Sequence, residues 1–500
     1  METALPAADK LVLGGYFLGM VALGAWFRKR SSTPEGFMIA SGRLPGWAVG
    51  LSILGTFVSS VTFLAYPGKA YDTDWDAFVF SLTLPPAALA AVFFFIPLYR
   101  SKVKVSAYEF MERRFGPWAR VYGSASFMFG SLARIGMILF LVSLVLHSLT
   151  GWSHFSIIVV TGLGVTLYTL AGGIEAVIWT DVIQVIVLLG GALFSVGVLL
   201  SDIPGGLERV LSEGARAGKL SLGSWRFDLA APTAWVVLLY GLVENLRNFG
   251  VDQNYVQRYQ TTRSAAAAAR SVWFAALAYI PLSLLFLFIG TALYVFYQVH
   301  PDLLPQALRA ASAGDRIFPH FIATQLPPGV RGLLVAALMA AAMSSIDSSL
   351  NCVSTLSLLD FHQRFFRPGM DDGTSLRLLR IYTLIWGLLG TAAGLAMIRV
   401  QSALETTWRL GGIAGGGVVG LFLLGLLFKR VRAGHAAAAV AAGLAAVAWA
   451  TFARDLPEGW TWLECPWHPN MVAVIGTVTL LAVGILLALP ASFLRGERSK

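Results

Sequence analysis

Residues 333–355 read LLVAALMAAAMSSIDSSLNCVST, and they decide what kind of molecule this chain is. The first half is Leu, Val, Ala and Met, fit for hydrocarbon. The second half sets Ser344, Ser345, Asp347, Ser348, Ser349, Asn351, Ser354 and Thr355 at a depth where water is scarce. An ionisable group inside a membrane helix is expensive, so it faces the bundle interior and marks an ion or solute pathway. Residues three and four apart share a helix face. Ala341, Ser344, Ser345 and Ser348 therefore stack, and Ser344, Asp347, Ser348 and Asn351 form an overlapping stripe. Oxygen donors without a Cys or His partner suit a hard cation rather than zinc or copper. Sodium is the ion this stripe predicts.

The rest of the chain agrees with a membrane setting. It has 500 residues, 56% hydrophobic and only 13% charged, whereas soluble domains are about a quarter charged. Thirteen stretches approach the ~20 residues that cross a bilayer. They are 8–27, 46–69, 76–100, 120–150, 154–171, 174–200, 233–252, 271–298, 331–359, 379–400, 407–428, 433–451 and 471–490. An all-α membrane protein of about 13 transmembrane helices is expected, as a single transporter domain over 1–500.

Orientation follows from basic residues, which collect in cytoplasmic loops. Loops after odd-numbered spans, with the C-terminal tail, hold 23 of the 37 Lys and Arg residues, against 12 on the other side. The N-terminus is expected outside and the C-terminus inside. This topology accounts for the net charge of +10, with the lipid bilayer as partner and no nucleic acid. The first apolar segment ends in Arg28-Lys29-Arg30, the reverse of a cleavable signal peptide, and is expected to stay as a span. Cys352 and Cys465 fall in a helix and an outer loop, and no disulfide is expected between them.

Four further places could carry chemistry. Gly55-Thr56-Phe57-Val58-Ser59-Ser60-Val61-Thr62 would lie mid-membrane, where Gly and Ser weaken the helix. A broken helix offers carbonyls to a cation and amides to an anion, although small residues also serve tight helix packing. The seventh span carries Glu244, Asn245, Arg247, Asn248, Asp252, Gln253 and Asn254, so it either unwinds around 241–249 or lines a wet cavity. Arg134 sits midway along the fourth span. It either clamps an anionic solute bidentately or pairs permanently with Asp347, Asp181 or Glu244. In YTLAGGIEAVIWTDVIQ (168–184), Gly172-Gly173 predicts a tight turn. Asp181 and Gln184 follow on one face, where Asp181 either completes a cation site or orients the turn.

Three segments, GGIEAVIWTDVIQ, DQNYVQRYQTTRS (252–264) and PPGVRGLLVAALMAAAMSSIDSSLN (327–351), resemble the signature of the sodium:solute symporters. The resemblance implies a leucine-transporter-like fold of two inverted five-helix repeats, here 46–200 and 233–428. An extra N-terminal helix would lie at 8–27, and two C-terminal helices within 433–490. It implies a sodium site formed by carbonyls of Gly55, Val58 and Ala341 with the hydroxyls of Ser344 and Ser345. A second ion would use Asp181, Ser345, Asp347 and Ser348. Within the family, SSVTFLAYPGKAYDTDW and LARIGMILFLVSLVL look most similar to the bacterial sialic acid transporters. That likeness implies substrate contacts from Arg134, Ser59, Ser60 and Thr62, with Phe78 and Ser81 as further candidates.

The expected function is sodium-coupled import of a small organic solute, a carboxylated sugar such as sialic acid, across the cell inner membrane. A neutral sugar, monocarboxylate, amino acid or vitamin is the alternative within transport. A membrane sensor domain is the alternative outside it. No enzyme is expected, because no nucleophile, base and orienting group stand together.

Overall fold

Helices and their connections make up the computed structural model, which describes residues 6–58, 60–309, 313–398, 417–453 and 460–489. The long elements are α1 (Ala7–Phe27), α2 (Gly46–Phe57), α3 (Ser60–Asp72), α4 (Phe78–Lys102), α5 (Pro117–Thr150) and α6 (His154–Asp202). After them come α7 (Ala234–Val251), α8 (Gln253–Thr261), α9 (Ala265–Val299), α10 (Gly314–Gln325) and α11 (Val330–Leu356). The chain continues through α12 (Asp372–Met397), α13 (Val418–Leu427), α14 (Ala433–Phe452) and α15 (Met471–Ala488). Among the described residues, nine helices are long and apolar enough to cross a membrane, and the bent pair α2/α3 is a tenth candidate.

Burial separates one helix from the rest. In the most apolar window of α1 only 22% of residues are buried, whereas in that of α11 and its continuation 94% are. Every residue from Leu334 to Leu356 is buried. Helices α1, α2, α3, α5, α6 and α12 all pack on α11, so it is the axis of the bundle and protein surrounds it. That placement is what lets its lower half be polar, since a lipid-facing hydroxyl or carboxylate would have no partner.

The expected spans fall on these helices with three differences. The fifth and sixth merge into α6, whose 49 residues would extend about 73 Å if straight. That is over twice the ~30 Å hydrocarbon core. The run is broken at Gly173, with φ 57° and ψ −155°, which is the turn expected at the Gly pair. The seventh span does not unwind over 241–249. It stays helical throughout α7 and breaks at Asp252, whose carboxylate then caps α8 by accepting from the Asn254 N–H at 2.9 Å. A capping carboxylate satisfies an orphan amide where the helix restarts, and that fixes the break. Of the eleventh span, only α13 lies within the described residues. Cys352 and Cys465 are both buried and free.

Gly173 has no room for a side chain: a Cβ there would lie 2.7 Å from the Phe37 carbonyl oxygen. Gly173→Ala should destabilise the protein by about 1–3 kcal/mol through the left-handed backbone and this clash. Gly197→Ala, at a helical position with nothing within 4 Å, should be neutral or slightly stabilising. Unfolding midpoints in detergent measure both. Equal midpoints for the two variants would refute the turn geometry.

Candidate functional site

The break after α2 is where the sequence stripe finds its counterpart. Helix α2 ends at Phe57, Val58 leaves helical geometry with φ −85° and ψ 88°, and the axis turns by 53° before it resumes. Gly55 lies one turn before the break, and Ser344 of α11 donates to its carbonyl at 3.1 Å. A Cβ at Gly55 would come 3.0 Å from Val185 Cγ2, so glycine lets α2 sit close against α6. Val58, Ala341, Ser344 and Ser345 are all buried.

Hydroxyl orientation is informative here. Ser344 is satisfied by the carbonyls of Gly55 and Ala341, and Ser348 donates to the Ser344 carbonyl at 2.7 Å. The buried Ser345 Oγ has no hydrogen-bond partner among the described residues, nor has Asp181 Oδ1. Buried polar atoms are nearly always paired. Two orphaned oxygens on facing helices, beside the carbonyl of Gly55, make a donor set that fits a small hard cation.

The oxygens expected to hold a second ion are also engaged by a residue that sequence reasoning passed over. Arg258 of α8 is fully buried and pairs with Asp181 Oδ2 at 2.9 Å. Its other donors reach Ser52 Oγ at 2.8 Å, Ser348 Oγ at 2.7 Å and the Asn254 carbonyl at 2.5 Å. Ser52 in turn donates to Asp181. Asp347 lies alongside and accepts from Tyr168 Oη at 2.6 Å and more weakly from Thr180 and Ser348. One turn further along α11, Asn351 accepts from Gln257 at 2.8 Å, tying α8 to the polar stripe. Counting Arg258 among loop cations misplaces it. Every residue of QNYVQRYQT is buried, which nothing in so polar a stretch announces.

Arg134 stands apart from this network. Each carboxylate that could neutralise it is committed elsewhere: Asp181 to Arg258, Asp347 to Tyr168, and Glu244 to Arg247 at 2.5 Å. Arg247 also reaches Asp252 at 3.5 Å. Among the described residues, Arg134 makes no ion pair within 4.0 Å, although Glu244 and Tyr255 feel its charge. The permanent-partner reading is therefore not realised.

Two of the remaining predicted contacts, Thr62 and Ser81, gather around aromatic rings. Phe57, at the break, packs on Phe249, Tyr255 and Tyr279. Tyr279 donates to Tyr66 at 3.2 Å, with Thr62 beside the first and Ser81 beside the second. Thr62 and Ser81 are buried there. Phe78 is half-buried at the start of α4 and stacks on no ring among the described residues. Ser59 and the Ser60 side chain lie outside the described residues.

The chain is similar to known membrane symporters in both sequence and fold. The model of the sodium:solute symporter family matches residues 37–443. The chain is 35% identical over 451 residues to the sodium/sialic acid symporter SiaT of Proteus mirabilis (strain HI4320), covering 89% of this chain and 90% of that one. It is 33% identical to the sodium/sialic acid symporter NanT of Aliivibrio fischeri (strain ATCC 700601 / ES114), covering 96% and 92%. A solved structure of a Na+-coupled sialic acid symporter, substrate-bound and outward-open with a novel Na+ site, superposes with a TM-score of 0.89 at 32% identity. The match covers 97% of this chain and 98% of that one.

Removing Arg258 would leave Asp181 buried and uncompensated, which typically costs about 3–5 kcal/mol. Arg258→Ala should lower the unfolding midpoint strongly in sodium-free detergent buffer, and adding Asp181→Leu should recover most of the loss. A single variant as stable as the parent, or a double variant no better than the single, would contradict the pairing.

Proposed function

The chain belongs to the sodium:solute symporter family, and from that premise we propose that it imports a carboxylated sugar of the sialic acid kind by sodium-coupled alternating access. The observation that carries the substrate class is Arg134, a guanidinium partway through a membrane helix with no ion pair among the described residues. A guanidinium binds a carboxylate bidentately, and the solute's own carboxylate is its proposed partner. Ser59, Ser60, Thr62, Phe78 and Ser81 would line the remainder of the solute site.

In this reading the first sodium is held by the carbonyls of Gly55, Val58 and Ala341 and by Ser344 and Ser345. The ion draws the broken α2/α3 span against α11, and that sets Thr62 and Arg134 for the solute. A second sodium would use Asp181 Oδ1 with Ser345, Asp347 and Ser348, beside rather than in place of Arg258. The repeats 46–200 and 233–428, the thirteen-span count and the outside N-terminus belong to the same proposal. Its support is that the helix opening each repeat ends at a break, Val58 after α2 and Asp252 after α7.

Energetics favour two ions. A tenfold sodium gradient supplies about 1.4 kcal/mol per ion, and one net charge crossing ~100 mV about 2.3 kcal/mol. One sodium with a monoanion is electroneutral and concentrates the solute only about tenfold. Two leave one net charge and yield roughly 5 kcal/mol, a several-thousand-fold accumulation.

Uptake of radiolabelled sialic acid into proteoliposomes should require sodium and be abolished in Arg134→Gln. If that variant retained parental uptake, or lost uptake of a neutral sugar equally, the carboxylate clamp would be wrong. Ser345→Ala should raise the half-saturating sodium concentration about tenfold, the effect of 1.4 kcal/mol; an unchanged sodium dependence would count against the cage. Reversal potentials should fit two sodium ions per solute, and a fit to one would remove the second site.

A further inference from the structure

An uncompensated basic patch lies at the end of the bundle where α1 and α12 meet the turn of α6. A depression of about 390 Å³ is lined there by Leu170, Leu376, Arg377, Arg380, Ile381 and Leu384. Arg380 Nε is buried with no hydrogen-bond partner among the described residues, and Arg28 lies within electrostatic reach of it. None of Arg28, Arg377 and Arg380 has a carboxylate within 4.0 Å among the described residues. Two acids at this end are committed: Glu175 faces Arg30 at 3.0 Å and Arg43 at 3.9 Å. Asp371 caps α12 through the N–H and hydroxyl of Thr374, both at 2.8 Å. Asp372 at the start of α12 makes no ion pair within 4.0 Å among the described residues. Two arginines thus line the hollow with Arg28 in electrostatic reach, and none of the three has an ion-pair partner among the described residues.

The walls of the hollow change character along the membrane normal. The first leg of α6 and α12 run antiparallel in close contact, with Gly162 against Thr391 and Gly387 against Thr166. From the arginines, Ile381, Leu384 and Leu388 continue along α12, and Leu167 and Leu163 along α6, all exposed outward. Charge at one end and an apolar seam running into the bilayer match the two halves of an anionic glycerophospholipid, phosphate below and acyl chains above. Basic pockets between helices at the cytoplasmic face recognise such headgroups, and Arg grips phosphate oxygens bidentately. By its basic loops, this end of the chain is the inner one. We propose that the groove between α6 and α12 is a specific site for an anionic phospholipid, its phosphate held by Arg377 and Arg380 with Arg28 beside them.

Native mass spectrometry of the delipidated full chain tests this without any transport assay, so its outcome is independent of the substrate reading. Phosphatidylglycerol should bind at least tenfold more tightly than phosphatidylcholine. Arg377→Gln/Arg380→Gln should bring the two lipids level, while Arg377→Lys/Arg380→Lys should keep part of the preference. Millimolar inorganic phosphate should not displace the lipid. Undiminished preference in the Gln variant, or displacement by inorganic phosphate alone, would overturn the proposal. Should the double Gln variant fail to fold, Arg28→Gln must still weaken phosphatidylglycerol binding selectively, and its failure to do so would overturn the proposal equally.

Discussion

A helix that crosses a membrane with a carboxylate and a run of hydroxyls on it must be surrounded by protein. Hydrocarbon offers those groups nothing to bond to, and an unpaired buried charge is the most expensive kind. Helix α11 meets this constraint by becoming the axis of the bundle. Its hydroxyls bond back to carbonyls one turn earlier, as Ser348 does to Ser344 and Ser349 to Ser345. Asp347 takes Tyr168 from α6, and Asn351 takes Gln257 from α8. What encloses α11 is therefore set by what its polar atoms require.

The same constraint explains the breaks. Where α2 and α7 end within the bundle, backbone groups are released that lipid could not satisfy. At Asp252 the chain supplies its own cap. After Phe57 it supplies Ser344 for the Gly55 carbonyl. Arg258 then does for the interior what a bound cation would do. It offers fixed donors to Asp181, Ser52 and Ser348, so that α8, α6, α2 and α11 converge on one guanidinium. A hydrogen-bonded buried pair of this sort specifies a geometry more than it adds stability.

Much of this was legible in the residues. The polar stripe, the weak point near Gly55 and the turn at Gly173 follow from composition and local steric rules, which act over a few residues. Arg134 was legible as a question with two answers, and only the positions of Arg258, Tyr168 and Arg247 show that its candidate internal partners are engaged elsewhere. The buried leg 253–261 was not legible, because QNYVQRYQT is polar enough to pass for a loop. Its burial depends on partners such as Asn351 and Met38, far away in sequence. The merged α6 hid for the opposite reason: both legs are apolar, and only the left-handed backbone at Gly173 separates them.

The hydrogen bond from Ser344 to Gly55 also bears on how an ion could drive motion. A ligand shifts an equilibrium only by its differential affinity for the two states. The contact between α2 and α11 already exists through a neutral hydrogen bond, worth about 1 kcal/mol net. Sodium's contribution to holding them is therefore what it adds beyond that bond. In the proposed cage that addition would come through Ser345 Oγ on α11, while Asp181 Oδ1 on α6 would serve the second ion. Satisfying these two oxygens would favour the ion-bound arrangement. The energy of relieving them is the part of binding that can be passed to the solute site.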